Sequence, residues 1–547
     1  MPKIPFWVFI LVALLHLSAY RVDVMDIDAS QYAEMSREMM ESGDYLHTYD
    51  RGIDYLDKPP FLFWVSAASM KVFGVNNFGY KFPSILFALF AIFATYRLAR
   101  LLYGDEVGRM AALVFGVCQG LFLMTNDIRT DTVLMSWVIT AIWLIKEWEV
   151  HKKLHHLLLG CAAISFGMMS KGPVALMIPI FSFATDWALK RNWKMFFRWE
   201  YLLGLVVIAV LLIPMSIGLY QQFDMHPEKI VNEVKGPSGL RFFYWSQSFG
   251  RITGESPWNN GAGFDFLMLN MLWSFLPWIF LFIPALIINI VQLVKQKFKL
   301  QPNQEWITTG GFILGYLALG SSKYQLPHYI FVVFPLAAIM VAKLLADFFE
   351  TDKYKKLYNV MRPVHYVIFA LMLVFAFALI TFVFPASMGM HVTYMFLLGI
   401  WLYIALSKVI RPKLFWLAVG AMIIVNIFGT HHFYTNLTKY QVGSSLSAFM
   451  NKNNIPPSKL VKYREEDPLN CLHFYLQHVI NKGGDQVAPG KYVLTMEDGK
   501  NELKQKGFDF DVVLKEKYCK ISELTIEFMN PATRDKATKD YYLLKIK

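Results

Sequence analysis

Asp23, Asp26 and Asp28 open a polar stretch that runs on to Asp57-Lys58-Pro59-Pro60. Carboxylates set near a lysine are suited to taking a proton from an alcohol and to holding an anionic group. Between them Tyr32, Met35 and Met39 recur at three to four residues, which predicts a helix lying in a membrane interface with those side chains on one face. Three later turns carry similar equipment: Thr125-Asn126-Asp127-Ile128-Arg129-Thr130-Asp131, Ser170-Lys171-Gly172-Pro173, and Ser321-Ser322-Lys323-Tyr324-Gln325-Leu326-Pro327-His328-Tyr329. One aspartate at a span end is ordinarily an exit marker, and one boundary lysine ordinarily snorkels to headgroups. Lys58, Arg129, Lys171, Arg251 and Lys323 gathered on one side of a membrane predict more than that. They suit a phosphate carried on a lipid, where partial exclusion of water strengthens charge-assisted bonds.

The elements that must position these residues follow from composition. Of 547 residues, 55% are hydrophobic and 17% charged, against roughly 45–50% and about 25% in soluble domains. Mean hydropathy is +0.37, so disorder and a water-soluble enzyme are both excluded in favour of a membrane protein. Apolar runs lie at 4–22, 82–103, 107–124, 132–148, 154–170, 172–189, 201–220, 266–293, 307–321, 326–346, 363–385, 391–408 and 413–430, predicting about thirteen helices. The first lacks a good small-residue cleavage pattern and is followed by more spans, so it reads as a span and not as a cleaved signal.

The net charge of +12 checks this topology, because cytoplasmic loops carry the excess Lys and Arg. With Lys3 inside, the inside turns hold Arg97, Arg100 and Arg109; Lys152 and Lys153; Lys190, Arg191, Lys194 and Arg198; Lys295, Lys297 and Lys299; Lys353, Lys355, Lys356 and Arg362; and Lys408, Arg411 and Lys413. The opposite turns are short or, at 23–81 and 221–265, long and mixed in charge. Most of the positive balance therefore orients helices and implies no nucleic acid. The cations in the outer turns are the anomaly.

After Gly429 the apolar runs stop, and Pro456-Pro457, Gly483-Gly484, Pro489-Gly490 and Asp498-Gly499 mark turns. The division is a membrane part at 1–430 and a small soluble α/β part at 431–547. Within the latter, Lys491 to Met496 and Asp511 to Leu514 read as strands and Leu469 to Val479 as a helix. Cys118 and Cys161 fall in apolar runs, and only Cys471 and Cys519 share a polar region, leaving room there for a single disulfide. The sequence holds no Walker loop, dinucleotide fingerprint, His-Glu-x-x-His helix or paired Cys-x-x-Cys.

The run Asp28-Ala-Ser-Gln-Tyr32-Ala-Glu34, then Glu38, Ser42-Gly43-Asp44-Tyr45 and Tyr55-Leu-Asp-Lys58-Pro-Pro60, resembles the GT-C fold membrane glycosyltransferases that use polyprenyl-phosphate sugars. The likeness is to the branch with the lipid A 4-amino-4-deoxy-L-arabinose transferases and bacterial relatives of the protein O-mannosyltransferases. It continues through Arg129-x-Asp131, Ser170-Lys171-Gly172 and Lys323-x-x-Leu-Pro327-x-Tyr329. The resemblance implies a polytopic α-helical GT-C protein of the bacterial inner membrane, with its site and C-terminal α/β domain on the periplasmic side. It implies Asp28 as general base toward an acceptor hydroxyl, with Asp131 a second carboxylate at the reaction centre. The donor phosphate would be met by Lys58, Arg129, Lys171, Arg251 and Lys323, and the substrates further contacted by Asp26, Tyr32, Asp57, Tyr324, His328 and Tyr329. A lipid phosphate is already a good leaving group, so neutralising its charge is the main demand, and direct attack inverts the anomeric centre.

The chain departs from that pattern in two places. Ala29 follows Asp28 where the family often has a second acid. The lipid A enzymes tend to carry Glu before Lys-Pro-Pro and a Glu-His pair shortly before an arginine, whereas here stand Asp57 and, before Arg251, Gln247 and Ser248. No cofactor is therefore assigned; a divalent metal stays open, with His226 or His328 as substitute ligands. The acceptor stays open among lipid A, another surface glycan and a protein Ser or Thr. A transporter or flippase of lipid-linked saccharide would instead expect ionisable residues near mid-span and interrupted symmetric halves, and a non-catalytic receptor would need far fewer spans.

Overall fold

A computed structural model describes residues 1–547 apart from 256–257, 302, 465–468 and 481–485; the expected Gly483-Gly484 turn lies outside the described residues. Each apolar run read above falls on helix, and two of them are broken. Asp105–Gly116 and Gln119–Asn126 meet at a bend of 53°, and Asp265–Ser274 is separated from Ile279–Lys295 by Phe275 to Trp278. Six described helices are long and apolar enough to cross a membrane, or seven if the bent pair is one span. The expectation of about thirteen also counted shorter apolar helices such as Phe6–Arg21, Val174–Leu189 and Ile307–Gly320. At 1.5 Å per residue these fall short of the roughly 30 Å hydrocarbon core. Pro327–Glu350 is buried over 94% of its apolar window and forms the central post. By contrast Met388–Leu406 is only 6% buried, a periphery left to lipid.

Beyond Gln441 the chain turns to a mixed sheet in the order Leu460–Lys462, Tyr492–Met496, Lys539–Ile546, Phe510–Tyr518; the first pair is parallel and the other two antiparallel. A register shift between Val512 and Leu514 interrupts the last pairing, as expected of a bulge near a sheet edge. A short helix, Asn470–Leu476, sits between this sheet and the first loop. All four cysteines are free and buried, so Cys471 and Cys519 form no disulfide.

The helix Asp28–Ser42 has surroundings other than those expected from its one apolar face. Tyr32, Met35 and Met39 are buried, but so are Ala29, Ser30, Ala33, Glu34, Ser36 and Arg37. It is wedged between Phe61–Phe73 and Asn470–Leu476, which cover its polar side as well as its apolar one. Its polar residues survive burial because they pair with one another: Arg37 donates to Glu34 at 2.6 and 2.9 Å and to Glu41 at 2.5 Å. The helix stops at Gly43, whose φ of 72° lets its amide bond to the Met39 carbonyl.

Glu38, partly buried on the same helix, accepts the Arg51 amide at 2.8 Å. Burial, helped by the charge of Glu34, raises its carboxyl from an ordinary 4.5 to about 7, against the amides of Arg51 and Gly52 and the charge of Arg37. The folded chain therefore keeps a proton that the unfolded chain releases, and stability falls as pH rises from about 4.5 to about 7. Thermal melts of the detergent-solubilised protein should lose midpoint between pH 5 and pH 7, with Glu38→Gln showing a shallower slope. Identical slopes for both proteins would contradict the assignment.

Candidate active site

Three local devices aim the charged side chains at one volume. Pro59-Pro60 halts the extended chain and starts helix Phe61–Phe73, leaving Asp57 and Lys58 at its mouth. Arg129 is the residue before helix Thr130–His151, and Asp131 occupies that helix's first turn. Lys171 ends helix Leu154–Lys171, where Gly172 with φ of 96° turns the chain away. An acid at a helix start thus faces a base at a helix end, each matched to the helix dipole, and Lys171 Nζ meets Asp131 Oδ1 at 2.5 Å.

These elements enclose a cavity of about 240 Å³ lined by Asp28, Gln31, Tyr32, Tyr55, Asp57, Lys58, Arg129, Asp131, Asn232, Arg251, Trp258, Tyr324, Leu326, His328 and Tyr329. Arg129 is held by Asp127 at 2.8 and 3.0 Å and by Asp28. Lys58 donates to Asp57 at 2.5 Å. Arg251 donates through Nη1 to the Tyr329 hydroxyl at 2.9 Å, approaches Asp57 at 3.9 Å, and stacks on Tyr324 and Trp258 at 5.4 and 5.3 Å. Its buried Nε has no hydrogen-bond acceptor among the described residues. Lys171 stands 3.8 Å from the centre of the Tyr329 ring. It lines an adjoining cavity with Arg251 and the apolar side chains Leu134, Val174, Met177, Ile252, Leu319 and Val332.

Charge persists despite burial at Lys58, Arg129 and Asp57. Burial pulls Lys58 down and Arg129 down, but Asp57 for the first and Asp127 with Asp28 for the second outweigh it, and both end above their ordinary values. Burial raises Asp57, and Lys58 and Arg251 more than reverse that, leaving its carboxyl below the usual range. Removing one member of such a pair strands the other, whereas replacing both by apolar groups need not destabilise.

Of the residues singled out in the sequence, ten line the cavity directly: Asp28, Tyr32, Asp57, Lys58, Arg129, Asp131, Arg251, Tyr324, His328 and Tyr329. Lys171 stands behind it. Asp26 does not reach it; it is buried against Cys471. Lys323 is exposed and reaches toward Gly254 instead, while its backbone amide braces the Arg251 carbonyl at 3.0 Å. Sequence reading gave no site role to Gln31, Tyr55, Asn232, Trp258 and Leu326, which also line the cavity, although Tyr55 and Leu326 stand in the motifs that carry the resemblance. Gln31 follows from the helical period of Asp28 and Tyr32, whereas nothing in the 221–265 loop marks Asn232 or Trp258.

The residues do not fit the divalent metal left open by the resemblance. Asp57 is already met by Lys58, by Arg251 and by the Gln247 amide, which donates to its carbonyl and, at 3.3 Å, to its carboxylate. His226 is drawn off to Glu228 at 2.9 Å, and His328 faces Asp131 at 3.5 Å. Among the described residues no three His, Cys, Asp or Glu side chains form a metal-holding group.

A polytopic helical body carrying paired cations and carboxylates beside an apolar cavity has the GT-C fold. The resemblance carried by the first-loop motif is borne out by three comparisons. Residues 57–217 match the family described as dolichyl-phosphate-mannose-protein mannosyltransferase. The undecaprenyl phosphate-alpha-4-amino-4-deoxy-L-arabinose arabinosyl transferase of Edwardsiella ictaluri is 26% identical over 324 residues, 58% of this chain and 54% of that one. A Pseudomonas fluorescens protein of the same description is 25% identical over 416 residues, 73% of this chain and 70% of its own. The chain thus spans little more than half the length of the Edwardsiella relative. The crystal structure of ArnT from Cupriavidus metallidurans bound to undecaprenyl phosphate superposes with a TM-score of 0.71 at 17% identity, over 98% of this chain and 97% of that one.

The paired charges predict a measurable coupling. Asp131→Ala leaves Lys171 buried without a carboxylate and should cost about 3 kcal/mol, read as a lowered thermal midpoint. Adding Lys171→Met should recover most of the loss. Additive losses in the double variant would show that the pair is not the stabilising unit.

Proposed function

We propose that the chain is an integral-membrane glycosyltransferase that moves a sugar from undecaprenyl phosphate to an acceptor at the periplasmic face of a bacterial inner membrane. The observation that carries this is the convergence of Lys58, Arg129 and Arg251 with Asp28 in one cavity, beside a second cavity with apolar walls. The polar cavity suits a phosphate and a sugar, and the apolar one suits the first units of a prenyl chain. The relatives named for undecaprenyl-phosphate sugar transfer support the same donor class.

In this reading the acceptor hydroxyl gives its proton to the Asp28 carboxylate as its oxygen bonds to the anomeric carbon. The bond from that carbon to the phosphate oxygen breaks, and the electron pair leaves with the phosphate. Lys58 and Arg251, both lining the cavity, neutralise the leaving group. Arg129 orients Asp28 and Asp127 holds Arg129. Asp131 pairs with Lys171 beside the donor. Single displacement inverts the sugar.

The topology belongs to the same proposal: an odd number of crossings, basic turns inside, and the site with residues 431–547 as an accessory α/β domain outside. Lipid A or another surface glycan is the acceptor we favour, because the arabinosyl transferase relatives match along more of the chain than does the mannosyltransferase family. That family match supports a protein Ser or Thr as the second reading.

Asp28→Asn should abolish sugar transfer in proteoliposomes while the protein still accumulates in membranes and binds undecaprenyl phosphate. Transfer at the wild-type rate would remove the base. A cysteine placed at Lys500 should react with an impermeant maleimide in intact spheroplasts; reaction only after permeabilisation would reverse the orientation.

A further inference from the structure

The backbone that leads into Asp28 is tied, nearly residue by residue, to the far end of the chain. The Val24 amide donates to the Tyr475 hydroxyl at 2.7 Å, and the Val24 carbonyl accepts Gln441 Nε2 at 2.9 Å. Asp26 donates its amide to Gln441 Oε1 at 3.2 Å. Its carboxylate accepts the Cys471 amide at 2.9 Å and the Cys471 thiol at 3.3 Å, and also the Ser30 hydroxyl. The Ile27 carbonyl accepts Asn470 Nδ2 at 3.4 Å, and Asn470 Oδ1 in turn accepts Arg51 at 3.0 Å. Gln441 and Cys471 are fully buried and Asn470 nearly so. Gly443 makes the close approach feasible, since a Cβ there would meet Cys471 Sγ at 2.4 Å.

Adhesion alone does not need this arrangement. Apolar contact would hold two segments together without fixing their register, whereas a buried, mutually satisfied polar network admits one arrangement and penalises any slip with unpaired groups. The network acts where register matters. Asp28 is the first residue of its helix, and Ile27 before it provides no side-chain cap. Asp26 instead accepts the Ser30 hydroxyl four residues on, while the Ser30 amide is taken by the Met25 carbonyl at 3.0 Å.

We propose that Gln441, Asn470 and Cys471 form a clamp that sets the start of the Asp28 helix, with Asp26 as its receiving and positioning residue, so that the C-terminal part of the chain completes the site by placing the base. The proposal rests on Asp28 being the base for its effect on turnover, but not for its effect on backbone order.

The test uses the full-length protein in proteoliposomes, with sugar transfer measured from the lipid-linked donors of a total bacterial lipid extract and with undecaprenyl phosphate as the binding probe. Gln441→Leu should lower kcat at least tenfold while KM for the donor and undecaprenyl phosphate affinity change less than twofold. Amides of residues 28–32 should exchange hydrogen at least tenfold faster, with those of residues 132–145 unchanged. Cys471→Ser, which keeps both donors to Asp26, should retain at least half the activity, and Asp26→Asn should behave like Gln441→Leu. If Asp26→Asn fails to accumulate, Gln441→Leu and Asn470→Ala decide the matter. Wild-type turnover in Gln441→Leu beside an inactive Asp28→Asn overturns the clamp, as does unchanged exchange at 28–32. Full activity in Asp28→Asn removes the base assignment instead, and the exchange result still decides the clamp.

Discussion

A cation withdrawn from water at the edge of a membrane must be met by a carboxylate, and the architecture around this site follows from that requirement. Lys58, Arg129, Lys171 and Arg251 are each largely buried, and each has an acid opposite it: Asp57, Asp28 with Asp127, Asp131, and Asp57 again. Isolated buried charges would neutralise themselves by shifting their pKa. Paired, they remain available to an incoming anion.

Helix ends do the positioning. Asp28 begins one helix, Asp131 lies in the first turn of a second, and Lys171 ends a third. Each charge is thereby fixed by a rigid element and sits at the end whose dipole suits it. The apolar cavity behind Arg251 and Lys171 continues this polar volume into a lining suited to hydrocarbon, an arrangement matched to a ligand with a charged head and a prenyl tail. At the opposite side of Asp28, polar bonds from Gln441, Asn470 and Cys471 reach the chain that precedes it.

Much of the site was legible because its residues lie in turns between apolar runs, where a charged side chain is conspicuous. Sorting cations by side of the membrane singled out Lys58, Arg129, Lys171 and Arg251, all found at or beside the cavity. Lys323 shared their pattern but points away, because facing direction in a non-helical turn has no period to read. Asp26 was misread for a related reason: it lies two residues from Asp28, yet its partners, Gln441 and Cys471, are over four hundred residues away. The surroundings of the Asp28–Ser42 helix were hidden likewise, since the surface covering its polar side comes from the C-terminal part of the chain. Broken helices such as Asp265–Ser274 and Ile279–Lys295 read as one apolar run because hydropathy does not register a bend.

The most direct measurement is a cryo-electron microscopy reconstruction of the wild-type protein in a lipid nanodisc with undecaprenyl phosphate. The phosphate should lie within hydrogen-bonding distance of the Arg251 guanidinium and Lys58 Nζ, with the first prenyl units against Val174, Ile252 and Val332 and Asp28 open to the vacant acceptor space. A phosphate resting elsewhere on the chain, with Arg251 still facing only Tyr329 and Asp57, would contradict the assignment of this cavity to the donor.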